Sequence, residues 1–327
     1  MTAPLLTIER LAVTFPSEAG RTPVVDRVAL AIAPGETLAL VGESGCGKSI
    51  TALAIMRLVP RPGRIEPGSR IIFEERDLLA LPVPDMRKVR GSRIGMIFQE
   101  PMTSLNPVTT VGEQVMEAVL LHANVSRAEA RRRVIDMFAT VGIPAPDRRF
   151  GAYPHELSGG LKQRVMIAMA MVMQPRLLIA DEPTTALDAT IRAQILDLMR
   201  TLTATTGTAV LLITHDFGVV NEVADRVAVM YAGQIVEEGT RTELLSHPRH
   251  PYTQGLLRSI PRPEARGTRL NEIKGVVPRP GKWPSGCRFH TRCPSAFDRC
   301  RSEEPARTSV SATQAAWCHL VEQEARG

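Results

Sequence analysis

Short, continuous apolar runs recur along the chain, separated by stretches with a helical pattern. Four of them have the length of a β-strand: TLALVGE at 37–43, RIGMIFQ at 93–99, RLLIADEP at 176–183 and TAVLLITHD at 208–216. Their hydrophobicity is continuous rather than alternating, which is typical of strands buried on both faces, as in a parallel sheet covered by helices. The pattern therefore predicts an α/β fold.

Two changes of pattern predict how the 327 residues are divided. Between the second and third apolar runs lies a long, charged and mostly helical insert, which includes SRAEARRRVIDMF at 126–138 and predicts a helical subdomain over about 100–172. After residue 258 the composition shifts to Pro, Arg, Gly and Cys, a change typical of a boundary. Because single cores stop growing at roughly 250–300 residues, we predict one large domain over 1–258 and a small extension over 259–327.

Charge and composition disfavour several classes of function. The net charge of +6 is spread along the chain without a block of like charges, and only 4% of the residues are aromatic. Few side chains are therefore available to stack on bases, and we expect no nucleic acid as a partner. No apolar run reaches the roughly 18 residues that a membrane span requires. We expect a protein that is neither secreted nor membrane-spanning by itself.

The octapeptide GESGCGKS at 42–49 is the strongest chemical signal. It matches the phosphate loop G-x-x-x-x-G-K-[ST] between the strand TLALV and the helical stretch ITALAIMRL, the context that makes the match specific. Its glycines let the backbone curl so that N–H groups and the helix N-terminus point at phosphate oxygens. Lys48 is expected to reach the β- and γ-phosphates, Ser49 to bind Mg²⁺, and Cys46 to be a small filler. The predicted nucleotide contacts here are Gly42, Ser44, Gly45, Cys46, Gly47, Lys48, Ser49 and Ile50.

A second signal is the apolar strand LLIAD at 177–181, which ends in Asp181 and is followed by Glu182. In a doubly wound sheet, ligands lie at the carboxyl ends of the strands. Asp181 is expected to hold Mg²⁺ through water, and Glu182 to orient or deprotonate an attacking water, which with charge stabilisation is most of what phosphoryl transfer requires.

The stretch YPHELSGGLKQRV at 153–165 decides among the many nucleoside triphosphatases. An apolar helix begins at Ser158, Gly159 and Gly160. Two glycines at the start of a helix destabilise it, which makes sense if their N–H groups must approach a phosphate. The stretch resembles the signature motif of the ABC-type ATPases, and the rest of that family's set follows in order over residues 5–258: Gln99 in IFQEP, Asp188 in TTALDA and His215 in LLITHD. Leu161 replaces the glutamine that is commonest after the signature glycines.

The resemblance implies a P-loop fold with a RecA-like core, and an enzyme that converts ATP and water to ADP and phosphate. Two nucleotide domains would pair head to tail, so that the signature serine and glycines of one complete the ATP site of the other. Gln99 and Asp181 would join Ser49 on Mg²⁺, Gln99, Glu182 and His215 would serve catalysis, and Asp188 would contact nucleotide. His215 would contact the γ-phosphate. The alternative interpretation is that His215 is a polar residue at a strand end whose hydrogen bonds are satisfied and that has no catalytic role.

Three further stretches resemble the oligopeptide, dipeptide and nickel importers: IFQEPMTSLNPV at 97–108, HPRHPYTQGLL at 247–257 and PSGCRFHTRCP at 284–294. This branch implies a subunit, peripheral on the cytoplasmic face of the cell membrane, that powers import of dipeptides or oligopeptides. Its implied partners are a second ABC ATPase subunit, with a paralogue favoured, two transmembrane permease subunits and an extracytoplasmic substrate-binding protein.

Two alternatives to peptide import stay open. One is an importer of nickel or another small solute. The other, less favoured, is an ABC ATPase acting on nucleic acid or ribosomes, since such chains usually carry two nucleotide domains or a long coiled coil. A non-hydrolysing regulatory subunit is disfavoured because Glu182 and His215 are both present.

Phe15, in LAVTFPS, is the candidate for stacking on adenine, which the family usually does with an aromatic residue from the N-terminal strand. Stacking of this kind contributes about 1–3 kcal/mol. A core phenylalanine is almost equally compatible with the sequence.

Four of the five cysteines lie near the C-terminus: Cys287, Cys293, Cys300 and Cys318. Disulfides are disfavoured in a cytoplasmic ATPase, so a metal centre is the better interpretation. Zinc sites usually include a tight C-x₂₋₄-C pair, which is missing, whereas four thiolates from a wrapping segment are able to enclose a [4Fe-4S] cluster. We favour the cluster, with Zn²⁺ and metal-free buried thiols as alternatives.

Overall fold

The structure, a computed structural model, describes residues 3–18, 20–99, 104–185, 188–260 and 272–326. The chain forms two compact units. Unit 1 comprises Met1–Leu5, Ala33–Glu36 and Ala80–Ile213, and unit 2 comprises Leu6–Ile32, Thr37–Leu79 and Thr214–Gly327.

The strands within the described residues are β1 (Leu6–Ser17), β2 (Gly20–Ile32), β3 (Thr37–Val41), β4 (Arg64–Ile65), β5 (Arg70–Phe73), β6 (Arg76–Asp77), β7 (Ile94–Ile97), β8 (Leu177–Asp181), β9 (Ala209–Thr214), β10 (Arg226–Tyr231), β11 (Gln234–Thr240), β12 (Arg307–Ser309) and β13 (Ala315–Trp317). The α-helices in the same ranges are α1 (Lys48–Ile55), α2 (Val83–Val89), α3 (Val111–His122), α4 (Arg127–Thr140), α5 (Pro146–Phe150), α6 (Gly159–Met171), α7 (Ala189–Thr206), α8 (Phe217–Val223), α9 (Arg241–Ser246), α10 (Pro251–Arg258), α11 (Asp298–Ser302) and α12 (His319–Arg326). A 3-10 helix covers Pro154–Glu156.

Unit 1 combines three parallel strands with a group of helices. β8 pairs in parallel with β7 on one side and β9 on the other. Every residue of β8 is buried, as expected for a strand covered on both faces. Helices α3, α4, α5 and α6 pack on one another, and α6 buries residues on nearly all sides. The carboxyl ends of β7 and β8 therefore meet at one place in this unit.

Unit 2 contains an antiparallel sheet, in which β1 lies between β2 and β5, and a second set of paired strands. In the second set β3 pairs in parallel with β10, which pairs antiparallel with β11. β11 also pairs with β13, and β13 with β12. The chain segment after residue 272 therefore continues the same set of strands as β3.

An aromatic cluster lies in the core of unit 2. Tyr231 of β10, Tyr252 of α10 and Phe289 are each at most 2% exposed. Their ring centroids are 4.6 to 5.3 Å apart. Cys287 and Cys293 pack against the same core. The C-terminal extension thus contributes side chains to the core that supports β3.

The α/β fold and the four strands predicted from continuous apolar runs are confirmed, with β3, β7, β8 and β9 inside the predicted ranges. The antiparallel strands of unit 2 were not predicted. The division at residue 258 stays a prediction. Among the described residues, none of the helices has both the length and the hydrophobicity of a membrane span.

Candidate functional site

The loop between β3 and α1 is curled by glycines in conformations that other residues rarely adopt. Gly42, Gly45 and Gly47 have φ values of 159°, 79° and 112°. A Cβ at Gly42 would lie 2.2 Å from the carbonyl oxygen of Met230, and one at Gly47 would lie 2.8 Å from that residue's Cε. Close packing as well as backbone conformation therefore requires glycine at both positions.

Lys48 is the first residue of α1, and its side chain turns back over the loop. Its Nζ donates hydrogen bonds to the carbonyl oxygens of Gly42 at 2.7 Å and Glu43 at 3.0 Å. Cys46 is fully buried. Burial raises the pKa of its thiol and outweighs the opposite effect of the nearby Lys48. Cys46 is thus neutral and fills space in the loop. Ser44 and Gly45 are exposed, and Ser49 and Ile50 are half-buried.

In unit 1 the structure brings Gln99, Asp181 and Glu182 to the carboxyl ends of β7 and β8. Asp181 ends β8 and is 4% exposed. The Nε2 of Gln99 donates to Oε2 of Glu182 at 3.4 Å, and the hydroxyl of Thr185 donates to the same oxygen at 2.8 Å. Three carboxylate and amide side chains predicted to act on one reaction therefore lie together within this unit.

The segment SGG begins α6 with exposed backbone. Ser158 is the N-cap, and its Oγ accepts a hydrogen bond from the N–H of Leu161 at 3.4 Å. Ser158 and Gly159 are exposed. A Cβ at Gly159 would meet no atom of the described residues within 4 Å, whereas one at Gly160 would lie 3.2 Å from Ile191. Packing against the described part of the chain therefore does not explain the glycine at 159.

The other three predicted residues belong to different parts of the chain. Asp188 is the exposed N-cap of α7, and its Oδ1 accepts from the N–H groups of Thr190 and Ile191 at 3.1 and 3.0 Å. His215 follows β9, is exposed, and belongs to unit 2. Phe15 is half-buried on β1. Their contacts with a nucleotide stay predictions.

The sequence did not predict how Glu43, inside the phosphate loop, is held. Its backbone N–H donates to the hydroxyl of Tyr252 at 2.9 Å. Its carboxylate accepts two hydrogen bonds from Arg292, at 2.7 and 3.0 Å. Glu43 occupies a variable position of the motif, so the sequence carried no signal for either contact.

The four C-terminal cysteines are neighbours. The pKa of Cys287 is raised to about 12, first by burial and further by the thiols of Cys318, Cys300 and Cys293. Within the described ranges, however, no group of three or more His, Cys, Asp or Glu side chains is arranged to hold a metal ion. The prediction of a metal centre at Cys287, Cys293, Cys300 and Cys318 is therefore not supported by the arrangement of their side chains.

The sequence matches two described families. Residues 25–185 match the family described as ABC transporter, and residues 236–300 match the oligopeptide/dipeptide transporter C-terminal region. The chain is 50% identical over 321 residues to the oligopeptide transport ATP-binding protein AppD of Bacillus subtilis, with 98% of each chain covered. It is 47% identical over 315 residues to the dipeptide transport ATP-binding protein DppD of Escherichia coli, with 96% of each chain covered.

Solved structures with the same fold include a dimeric bacterial ABC transporter cassette, with a TM-score of 0.65 and 26% identity over 72% of this chain and 98% of that chain. A subunit of an ABC transporter complex from Clostridium perfringens has a TM-score of 0.63 and 27% identity, over 75% of this chain and 92% of that chain.

Proposed function

The chain belongs to the ABC transporter ATPase family, and from this membership we propose that it binds and hydrolyses ATP to power an importer of dipeptides or oligopeptides. One observation carries the proposal: the similarity to an oligopeptide transport ATP-binding protein, at 50% identity, extends over 98% of both chains. It includes the C-terminal region as well as the phosphate loop, so the whole subunit is alike and not the nucleotide domain alone.

The phosphate loop binds the triphosphate. The curl that Gly42, Gly45 and Gly47 allow turns backbone N–H groups of the loop toward the phosphates, and the N-terminus of α1 adds its positive dipole end. Lys48, which is buried among the loop's own carbonyl groups, exchanges these partners for the β- and γ-phosphates. Phe15 stacks on adenine, and Ser44 and Ile50 complete the contacts of the loop.

Glu182 activates the attacking water. Its carboxylate takes a proton from the water as the oxygen bonds to the γ-phosphorus, while the bond from that phosphorus to the bridging oxygen of ADP breaks. Gln99, which donates to Glu182, keeps the carboxylate oriented. His215 contacts the γ-phosphate, and Asp188 approaches the nucleotide.

The donors predicted for magnesium have the right chemistry. Ser49, Gln99 and Asp181 offer hydroxyl, amide and carboxylate oxygens, the hard ligands that Mg²⁺ takes, usually together with waters and phosphate. Mg²⁺ neutralises charge on the phosphates when it is bound. Asp181 is nearly buried, so its carboxylate is suited to hold a position rather than to exchange with solvent.

Two ATPase chains pair head to tail, and each signature segment acts on the partner's nucleotide. The exposed N–H groups of Gly159 and Gly160 and the hydroxyl of Ser158 are available to a γ-phosphate from outside this chain. The open space at Gly159 supports this, because no neighbour among the described residues requires a glycine there. We favour a paralogue as the second chain.

The subunit attaches to the cytoplasmic side of two membrane permease subunits, which receive solute from an extracytoplasmic binding protein. Three exposed apolar side chains in unit 1 support such attachment: Val108, Leu121 and Tyr153 are 80%, 71% and 40% exposed. They belong to the helical subdomain over about 100–172, and the extension over 259–327 follows the nucleotide domain.

Reconstitution tests the proposed function. The chain is co-expressed with candidate permeases, a second ATPase and the binding protein, and ATP turnover in vesicles is measured with dipeptides, longer peptides and Ni²⁺. We expect peptides to raise turnover. Stimulation by Ni²⁺ alone would assign the chain to a metal importer, and stimulation by nucleic acid or ribosomes without permeases would contradict the proposal.

For the cysteines we propose an iron–sulfur cluster. Four cysteines are the ligand set that such a cluster takes, and the tight Cys pair that is usual in zinc sites is missing. Protein purified without oxygen should absorb broadly in the visible range. Cys293→Ser should lose this absorption and Cys46→Ser should keep it. Colourless protein with bound zinc would overturn the cluster in favour of zinc, and metal-free protein would overturn both.

A further inference from the structure

Arg292 belongs to the C-terminal extension, yet its guanidinium ends on the phosphate loop. It lies between Phe289, which is in the core of unit 2, and Cys293. Its Nη1 donates to Oε2 of Glu43 at 2.7 Å and its Nη2 to Oε1 at 3.0 Å. The side chain of Arg292 is 3% exposed and that of Glu43 is 31% exposed. This is a two-pronged ion pair in which the arginine is buried and the carboxylate is partly exposed, unlike the fully exposed pairs that contribute little.

The other donors of Arg292 fix its position. Its Nε donates to the carbonyl oxygen of Lys274 at 3.1 Å, and its Nη2 to those of Ile273 at 3.3 Å and Gly275 at 3.4 Å. The guanidinium therefore joins three backbone carbonyls of the extension to one carboxylate of the loop. Because the group is planar and rigid, it transmits the position of the extension to Glu43.

Glu43 is held at each of its polar groups. Its N–H donates to Tyr252, its carboxylate accepts from Arg292, and its carbonyl oxygen accepts from Nζ of Lys48 at 3.0 Å. Tyr252 and Arg292 thus fix Glu43 within the loop whose carbonyl groups surround Lys48, the residue proposed to bind the triphosphate.

We infer that Arg292 is a positioning residue for nucleotide binding: by holding Glu43, it keeps the phosphate loop in the conformation that presents Lys48, so that the C-terminal extension takes part in ATP binding. This inference rests on the proposed function, because it concerns the same nucleotide site. In this role Arg292 acts through the loop and not by contact with the nucleotide.

Two measurements on the full chain, the Kd for ATP and the Tm, distinguish a positioning role of Arg292 from a purely structural one. Arg292→Gln should raise the Kd for ATP about tenfold, the size expected when one buried pair is uncoupled. Arg292→Lys keeps the charge but loses the two-pronged geometry, and it should lie in between.

Arg288 provides a matched control. It belongs to the same segment, is 11% exposed and pairs with Asp26. Its other hydrogen bond, at 2.6 Å, goes to the carbonyl oxygen of Ala232, and it stacks on Trp283 at 3.7 Å. Arg288→Gln should therefore lower Tm as Arg292→Gln does while leaving the Kd for ATP within about twofold of the wild type.

A double-mutant cycle tests whether Arg292 affects ATP binding through Glu43. If Arg292 acts through Glu43, then Glu43→Gln combined with Arg292→Gln should bind ATP no more weakly than Glu43→Gln alone. Additive losses would overturn the route through Glu43.

Two other outcomes would overturn the inference: an unchanged Kd in Arg292→Gln, or an equal loss of affinity in Arg288→Gln at the same Tm. Should Arg292→Gln fail to fold, an unchanged Kd in Arg292→Lys decides against it. A wild-type chain that binds no ATP would instead contradict the proposed function itself.

Discussion

Glu182 adopts a backbone conformation that residues other than glycine rarely take, with φ of 47°. Such strain costs on the order of 1–3 kcal/mol and persists where the surrounding structure enforces it. Here the backbone N–H of Glu182 donates to the carbonyl oxygen of Ile213 at 2.9 Å, and Gln99 and Thr185 hold the carboxylate. The strain aims one carboxylate and supports a catalytic role for it.

Glu182→Gln should abolish most steady-state hydrolysis while ATP binding is retained. The amide cannot take a proton from water, and loss of a general base typically costs about 100-fold or more, whereas the phosphate loop is untouched. Phosphate release and nucleotide binding are measured on the same preparation, with the exposed Glu222→Gln as control. Wild-type turnover in Glu182→Gln would assign the base elsewhere.

Lys48→Ala should weaken nucleotide binding itself. The substitution removes the positive charge at the phosphates, and hydrogen bonds to charged groups contribute about 1.5–3 kcal/mol, so the Kd for ATP should rise at least about tenfold. Calorimetry measures the Kd, and Lys88→Ala, at an exposed lysine that pairs with Asp85 on α2, serves as control. Equal affinities in the two variants would contradict the role of Lys48.

The residues of the loop and of the strand ends were predictable because the chemistry fixes their types and spacing. Lys48, Asp181 and Glu182 stand at motif positions that phosphate and magnesium impose. The pair of Arg292 and Glu43 is separated by 249 positions. No periodicity or spacing rule connects residues so far apart, so only the fold reveals that they meet.

Helix α10 begins at a buried histidine, His250. Nδ1 of His250 accepts from the N–H of Tyr252 at 3.0 Å and so caps the helix. The backbone N–H of His250 donates to the buried carboxylate of Glu237 at 3.0 Å. Burial lowers the pKa of His250 to about 3, so the ring stays an acceptor at neutral pH.

This lowered pKa predicts a loss of stability in acid. A histidine in the unfolded chain takes up its proton near pH 6.5, well above the folded value of about 3. The stabilising contribution of neutral His250 to the free energy of unfolding is therefore complete above about pH 6.5. Below that, the free energy of unfolding falls by up to about 1.4 kcal/mol per pH unit as the pH decreases toward 3.

His250→Asn should keep the cap, since asparagine is a good N-cap, and should flatten this dependence. Denaturant titrations between pH 7 and pH 5 measure the slope, and the exposed His247→Asn should leave it unchanged. An unaltered slope in His250→Asn would show that other groups cause the acid loss.

At the level of elements, continuous apolar runs identified β3, β7, β8 and β9 because both faces of these strands are buried. β1 and β2 are buried on one face, and register shifts interrupt their pairing, so their pattern is weaker. β12 and β13 have three residues each, too few for any period to appear. The core role of Phe289 was hidden for a similar reason, because it stands among polar residues.

For the whole molecule, the proposed head-to-tail pairing predicts that Ser158→Arg blocks closure of two chains. The substitution places bulk and charge where the partner's γ-phosphate would dock, while this chain still binds ATP through its own loop. ATP-dependent dimerisation and ATPase activity of the assembled transporter are measured, with Ser126→Arg at the N-cap of α4 as control. Full activity in Ser158→Arg would contradict pairing through this segment.

The pairing of β13 with β11 has a consequence for the isolated nucleotide domain. Glu237 and Glu238 of β11 pair with Ala316 and Ala315, so the extension occupies backbone N–H and C=O groups that would otherwise face solvent. A chain ended at residue 258 would expose β11 as an open edge strand, a template for pairing with other chains. We expect such a fragment to form soluble aggregates, by light scattering, where the full chain does not. In this respect the extension protects the edge of the sheet at β11, whether or not it binds a metal.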